Sequence, residues 1–349
     1  MADEPKSPSP AVEPSQPRQT EAGTSEQPEV DAPGNDGEST VETVDPLEVD
    51  ISSDSGFAED DVGSETTSIT SSLLRGHIEN GRKGPSDDQQ FETMDAGHLF
   101  YLLMESGHDN LLFRSPLKSP KHILDIGTGT GTFAVDVADK FPDATVYGVD
   151  LYPPPTPWVP PNCFLQVEDV LHDWSWSHKF DLVHMRLMLG AFTNNEWDAL
   201  YRTIYENLEP GGWLEQVELD VRVMSDDGTL AKDSFLAGWG DNFLGCSKRS
   251  GRPLSTQETM AGRMAEAGFV NLNDHLFKCP LGSWPRDRRL KEAGRVNFHH
   301  WSSGLDGWAM WLLTKHGAPK PWSADEVRVY VAKVRQELKQ KGLHIYHLT

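Results

Sequence analysis

The stretch Leu124-Asp125-Ile126-Gly127-Thr128-Gly129-Thr130-Gly131 decides the fold. An apolar run, Lys121–Ile126, meets a glycine cluster, and Phe133–Lys140 follows with Phe133, Val137 and Phe141 on one helical face. A strand that turns through glycines into a helix opens a β-α-β crossover. Glycine at such a turn lets the backbone approach a ligand closely, and the helix amino terminus behind it supplies N–H groups. The loop alone is ambiguous, because Gly129-x-Gly131-x-x-Ala134 also fits the loose dinucleotide pattern.

Working outward, the alternation continues. Ala144–Val149, Cys163–Val167 and Phe180–Met185 read as strands. Trp197–Leu208 reads as a helix stopped by Pro210-Gly211-Gly212, and Trp213–Val223 as a fifth strand. Upstream, Asp87 and Asp88 precede a helical spacing of Phe91, Met94, Leu99, Leu102 and Leu103 that Gly107 ends. Downstream, Ser255 with Glu258 and Ser323 with Glu326 have capping-box spacing, which predicts helices over Ser255–Ala267 and Ser323–Lys341. Val270–Lys278 and Leu343–Thr349 are read as a sixth and a seventh strand. This order implies an α/β, Rossmann-like fold, a mostly parallel sheet with helices on both faces.

The acids choose the ligand. Asp125 lies two residues before Gly127 at a strand end, where a carboxylate repels pyrophosphate and attracts an amine. Asp150 ends the second strand, 19 residues after Gly131, where a carboxylate can accept from both ribose hydroxyls. Asp169, just past the third strand, can accept from an adenine amino group with Val170 against the ring. Each aspartate alone is better explained as a turn or cap residue. Three at successive strand ends describe a nucleoside whose far end carries a positive amine, and S-adenosyl-L-methionine fits that description. A nicotinamide-type oxidoreductase is the competing reading. It lacks a catalytic Tyr/Lys motif, and Asp125 opposes it.

Charge divides the chain. Of a net −23 over 349 residues, positions 1–70 hold 18 acids and two bases, a net of −16. That stretch is rich in Pro, Ser, Thr and Gly, with too few apolar residues to offset the entropy of folding. Residues 1–75 are therefore expected to be a disordered acidic tail and 76–349 the folded domain. The tail is a candidate arm for a protein partner, with Ser7-Pro8 and Ser9-Pro10 as candidate modification sites. The negative charge argues against coating nucleic acid or an anionic membrane by electrostatics alone. The start, MADEPKSPSP, shows no secretory pattern, and Cys163, Cys246 and Cys279 have neither pairing nor metal spacing. A cytoplasmic or nuclear location is expected.

With DIGTGTG, Gly148-Val149-Asp150 and Pro157-Trp158-Val159-Pro160-Pro161-Asn162, the chain resembles the class I methyltransferases. More narrowly it resembles the fungal LaeA-like group of secondary metabolism. Further matches are Phe180-Asp181-Leu182-Val183-His184-Met185-Arg186, Leu208-Glu209-Pro210-Gly211-Gly212-Trp213-Leu214-Glu215, Ser225-Asp226-Asp227-Gly228 and the run 284–292. The resemblance covers residues 75–349. It implies a seven-stranded sheet with the last strand antiparallel, and helical substrate-side additions in the carboxyl half. It further implies S-adenosyl-L-methionine held by Asp125, Gly127, Thr128, Gly129 and Gly131 at its methionine part. Asp150 and Leu151 would hold the ribose, and Asp169 and Val170 the adenine. A small-molecule acceptor follows from it, as does the alternative of a weakly catalytic nuclear regulator working through protein partners. Only Lys83–Ser86 bridges the Glu79-Asn80-Gly81-Arg82 element and the first helix, where relatives carry a longer lid stretch.

Methyl transfer needs in-line approach and desolvation more than a dedicated base. His184 is the candidate proton acceptor, with a buried structural role as the alternative. Arg186, Glu215 and Trp239 are candidate substrate contacts, and Trp301, Trp308 and Trp311 add aromatic weight for an apolar wall or a core. No metal site is read.

Overall fold

The computed structural model describes residues 45–50, 77–79, 82–84, 88–108, 110–156 and 158–349. A short antiparallel pair, β1 (His77–Glu79) and β2 (Arg82–Gly84), precedes α1 (Asp88–Met104). Then come β3 (His122–Ile126), α2 (Thr132–Lys140), β4 (Thr145–Asp150), β5 (Cys163–Val167), β6 (Phe180–Arg186), α3 (Asn194–Asn207) and β7 (Leu208–Val217). These five strands form one parallel sheet in the order β5-β4-β3-β6-β7. The order reverses between β4 and β6 around β3, the switch point at which α/β sheets bind ligands.

Alternation along β3 builds two cores. Ile123 faces α2, where Phe133, Val137, Val146 and Leu182 join it. Leu124 and Ile126 face α3, against Trp197, Leu200, Tyr201 and Ile204. Asp125 shares the α2 face with Ile123, so a charged group enters a row otherwise filled by aliphatic side chains.

The carboxyl half adds α4 (Trp239–Ser250), α5 (Met260–Ala267), β8 (Lys278–Pro280), α6 (Arg288–His316), α7 (Ala324–Leu338) and β9 (Tyr346–Leu348). Helices α4, α6 and α7 share a core of Trp239, Phe243, Trp301, Leu305, Val331 and Val334. In place of one seven-stranded sheet there is a five-stranded parallel sheet and a separate antiparallel pair. β8 and β9 pair antiparallel, and β9 also bonds the chain beyond β7, through Asp220 N–H to Leu348 O and Met224 N–H to Tyr346 O, both 2.8 Å. The last strand is thus antiparallel and paired on both sides.

Three local expectations change. Trp213–Val223 is a parallel strand only to Val217, and the strand starts earlier, at Leu208, across an irregularity between Phe180 and Leu182. Val270–Phe277 is exposed connection, with a strand only from Lys278. Ser255 caps nothing: a 3-10 turn over Thr256–Glu258 precedes α5. Ser323 and Glu326 do form the capping box of α7. Two helices the periodicity did not reveal, α4 and α6, are the ones that enclose the site. The 29-residue α6 buries residues around its circumference, including Ala293, Phe298, Trp301, Leu305 and Leu312, so no single apolar stripe marks it.

The tail boundary also moves. Of the 1–75 segment, residues 45–50 are described, and they lie against the start of α6. Asp50 N–H donates to Trp284 O at 2.8 Å, Arg286 N–H donates to Glu48 O at 2.7 Å, and Asp50 pairs with Lys291. The other residues of the expected tail fall outside the described set. Deleting residues 1–44 is expected to leave the melting temperature unchanged. Deleting 1–50 is expected to cost about 1–2 kcal/mol, from two backbone hydrogen bonds and a half-buried ion pair. Scanning calorimetry of the two truncations measures the difference. None of the described helices is long and apolar enough to cross a membrane.

Candidate active site

The loop between β3 and α2 holds the backbone where side chains are disfavoured. Gly127, Gly129 and Gly131 have φ of 72°, 58° and 82°. A Cβ on Gly127 would lie 2.4 Å from Met188 Sδ, and one on Gly131 2.6 Å from Leu165 Cδ1. The loop's N–H groups are largely used within the protein. Those of Gly127 and Thr128 donate to Val149 O, that of Gly129 to Asp150 Oδ2 at 2.9 Å, and that of Gly131 to Thr128 O. This is not the open row of N–H groups that grips pyrophosphate. It is a tight glycine ledge, and Asp150 at the tip of β4 braces it.

Asp150 also accepts from the Tyr152 N–H at 3.2 Å, and burial holds its carboxyl above the usual range despite these bonds. Its oxygens accept backbone N–H groups from Gly129 and from the turn after β4, at Leu151 and Tyr152. With glycines permitting close approach and Asp150 at the rim, the ledge fits a nucleoside. Asp150, Leu151 and Val170 all line one cavity with Gly127, Thr128 and Gly129. Asp169 lies apart from that wall: it accepts from the Leu171 N–H, sits 3.7 Å from His172 Nδ1, and leaves Glu168 and Val170 as the lining residues.

Register explains the next pair. Asp125 of β3 stands beside His184 of β6, and both are almost fully buried on the α2 face. His184 Nδ1 lies 2.8 Å from Asp125 Oδ1, and its ring stacks on Phe133 at 3.7 Å between centroids. Two residues on, Arg186 turns the same way. Its guanidinium donates to His98 Nδ1 at 2.9 Å, and His98 Nε2 in turn donates to Asp136 Oδ2 at 2.8 Å. Arg186 also stacks over Tyr101, 4.7 Å from the ring centre, and burial lowers its pKa.

The cavity, about 630 Å³, continues past β6 into an aromatic chamber of Trp239, Phe243, Trp301, Trp308 and Trp311. All four tryptophans singled out in the sequence therefore reach it. Trp239 is also core, stacked on Phe243 at 4.1 Å. His299 and His300 part company on α6: His300 is buried, donates Nδ1–H to Thr93 O at 2.7 Å, and is lowered to about 4 by desolvation.

Glu215 is the register neighbour of His184 on β7 and faces a second cavity that His184 and Arg186 also border. The Glu215 carboxylate accepts from the N–H groups of Arg114 and Ser115 and from Ser115 Oγ, fastening the segment before β3 to β7. This second cavity, about 880 Å³, runs along the free edge of β7. There Glu218 is nearly inaccessible, and burial pushes its carboxyl up to about 8. A folded-state value above the unfolded one means stability is full below about pH 4.5 and declines as pH rises towards 8. Glu218→Gln is expected to be neutral at pH 5 and to raise the melting temperature at pH 8, as read by thermal unfolding at both pH values.

Sequence reading missed the contribution of α1. Asp95 accepts from both Thr130 Oγ1 and Thr132 Oγ1 at 2.8 Å, pinning the helix over the glycine ledge. Met94, Gly97 and His98 thereby line the cavity, as do Leu187, Met188 and Leu189 after β6. Helical spacing announced α1 but not what it docks on. Gly97 was the available signal: a Cβ there would stand 2.9 Å from the His300 ring.

Comparison with known proteins agrees with this geometry. A family model described as a methyltransferase domain matches residues 96–273. Methyltransferase pytC of Aspergillus terreus is 37% identical over 300 residues, 81% of this chain and 89% of its own. Secondary metabolism regulator LAE1 of Cochliobolus heterostrophus is 32% identical, covering 78% of this chain and 92% of its own. Among solved structures, phosphoethanolamine N-methyltransferase 2 of Haemonchus contortus aligns with a TM-score of 0.38 at 17% identity, over 72% of this chain and 50% of its own. The family model and the two relatives, with the glycine ledge and the acids at the strand tips, make the chain a member of the methyltransferase family of fungal secondary metabolism, an S-adenosyl-L-methionine-dependent methyltransferase.

Proposed function

We propose that the chain methylates an oxygen or nitrogen of a small, largely apolar acceptor seated in the aromatic chamber. One observation carries the reading: a single cavity runs from the glycine ledge and Asp150 to Trp239, Trp301, Trp308 and Trp311. A flat apolar molecule packs against such walls, and water is kept from the reacting atoms. When bound, S-adenosyl-L-methionine supplies a methyl group activated by its sulfonium. In this reading the residues at the ledge position it: Gly127, Thr128, Gly129 and Asp125 at the amino-acid part, with Gly131 shaping the turn behind them, Asp150 and Leu151 at the ribose, and Val170 at the base.

His184 is the proton acceptor in this proposal. Asp125 takes the Nδ1–H, which fixes the neutral ring's tautomer and leaves Nε2 as the basic atom. The ring lines the cavity and its stacking on Phe133 prevents rotation. Most of the acceleration comes from proximity and exclusion of water.

A regulatory role through protein partners is the second reading, favoured by relatives named as secondary metabolism regulators. Mass spectrometry of metabolites from a deletion strain separates the two. The enzyme reading expects a species lighter by one methyl to accumulate, and purified protein to methylate it. A change in the abundance of many metabolites, with no demethylated species among them, favours the regulator.

A further inference from the structure

Arg186 stands out among the cavity residues because its charge has no direct answer. Among the described residues, one of the five N–H donors of its guanidinium has a protein acceptor, the uncharged Nδ1 of His98. Among the described residues no carboxylate lies within 4 Å of it, although ten other arginine and lysine side chains form such pairs, among them Arg114, Arg222 and Arg263. The side chain is nonetheless held still. Tyr101 and Phe133 pack on its faces, and the Asp136–His98 pair fixes one edge. A desolvated cation that is clamped but lacks a counter-ion is costly unless a ligand supplies the anion.

The position of Arg186 says which anion. Asp125 and His184 are register neighbours, and Arg186 is two residues beyond His184 on the same face of the same strand. One buried carboxylate and one buried guanidinium therefore border the same cavity beside the glycine ledge. They lie on the amino-acid side of the ledge, away from Asp150 and Val170. Opposite fixed charges so placed are complementary to a zwitterion, with its ammonium towards Asp125 and its carboxylate towards Arg186.

We propose that Arg186 binds the α-carboxylate of the methionyl part of the cofactor, and that Asp136 and His98 position it for that contact. The proposal rests on the cofactor lying across the ledge, as described above. It moves Arg186 from the acceptor to the cofactor and leaves the aromatic chamber without a cation from β6, consistent with an uncharged acceptor.

Isothermal titration with three nucleosides tests it. S-adenosylhomocysteine carries the whole amino acid, its decarboxylated amine keeps only the ammonium, and 5′-methylthioadenosine has neither. The full chain is expected to bind S-adenosylhomocysteine about 10- to 100-fold more tightly than the decarboxylated amine, as for hydrogen bonds between charged groups. In Arg186→Met that preference is expected to vanish, with 5′-methylthioadenosine affinity unchanged. His98→Phe is expected to reduce the preference in part. The decarboxylated ligand tests the contact in the unaltered protein, so a poorly folded variant does not shield the proposal. Equal affinity of the full chain for the two amine ligands overturns it. So does Arg186→Met that keeps the preference, which would assign the guanidinium to an anionic acceptor. Failure to bind any of the three nucleosides overturns the cofactor placement instead.

Discussion

Gly294→Ala is expected to be the most damaging single-methyl addition among the glycines of the described residues. A Cβ on Gly294 would lie 2.1 Å from the carbonyl oxygen of Gly282, and that atom is backbone. It has little freedom to move, because Gly282 N–H donates to Gly294 O at 2.9 Å and the neighbouring Leu281 N–H donates to Ile345 O at 2.9 Å. The added methyl must push α6 away from the turn after β8. Helix α6 carries Trp301, Trp308 and Trp311 into the cavity and packs on α1, so the displacement reaches both walls of the site. Overpacking of this kind costs about 3 kcal/mol. In a domain of this size that is a fall of roughly 6–12 °C in melting temperature. Thermal unfolding measures it, and an unchanged midpoint would mean that α6 and the turn are not in contact. Gly262, where an added Cβ meets nothing within 4 Å, is the matched control.

Asp125→Asn is expected to have the largest effect on ligand binding. The substitution keeps the volume at a position where Ile123, Phe133 and Leu182 leave no slack. It removes a negative charge that is almost fully buried, and with it the attraction for an ammonium group. A charge-assisted contact in a site of low polarity is worth about 2–3 kcal/mol, so S-adenosylhomocysteine affinity should fall roughly 30- to 150-fold. The carboxamide still accepts from His184 Nδ1–H, so the fold and the ring's tautomer are expected to survive. The calorimetric comparison with 5′-methylthioadenosine, which has no ammonium, locates the loss. An equal fall for both ligands would show that Asp125 acts on the ledge rather than on the amine. Arg186→Met and Asp125→Asn, tested together, are expected to be less than additive, since both contact one zwitterion.

The two pH-sensitive sets in the fold act in opposite directions. Desolvation lowers His300 and His347 to about 4, so their protonation favours the unfolded chain as pH falls below 6.5. Glu218, raised to about 8, takes stability away as pH rises towards 8. Greatest stability is therefore expected near pH 6.5, where the histidines are neutral and Glu218 is still largely protonated.

Much of the sheet and of the ledge was legible from residue order because both are local. Short apolar strand runs, glycines at a tight turn and acids at strand tips are set by neighbours within a few residues. Asp125, Gly127, Gly129 and Asp150 could thus be named without coordinates, and the structure brings them to one cavity. Partnership across the chain was not legible. His184 and Asp125 are 59 residues apart and meet only because β6 lies beside β3 in register. Glu215 had the same standing as His184 in the sequence, yet the edge position of β7 turned its carboxylate to the segment at Arg114 and Ser115.

Sequence by itself determined the parallel α/β sheet and the nucleoside-type ledge, because those depend on short-range periodicity and on conformations only glycine readily adopts. Tertiary structure alone decided the roof and the charges within. Helix α1 covers the ledge through Asp95, and α6 closes the aromatic chamber after an irregular apolar pattern that no period describes. Arg186 acquires its meaning only when His98, from 88 residues earlier, takes one of its donors and no carboxylate among the described residues neutralises the rest. The physical reason is that burial and counter-charge belong to the assembled environment of a side chain, and neither is a property of its neighbours along the chain.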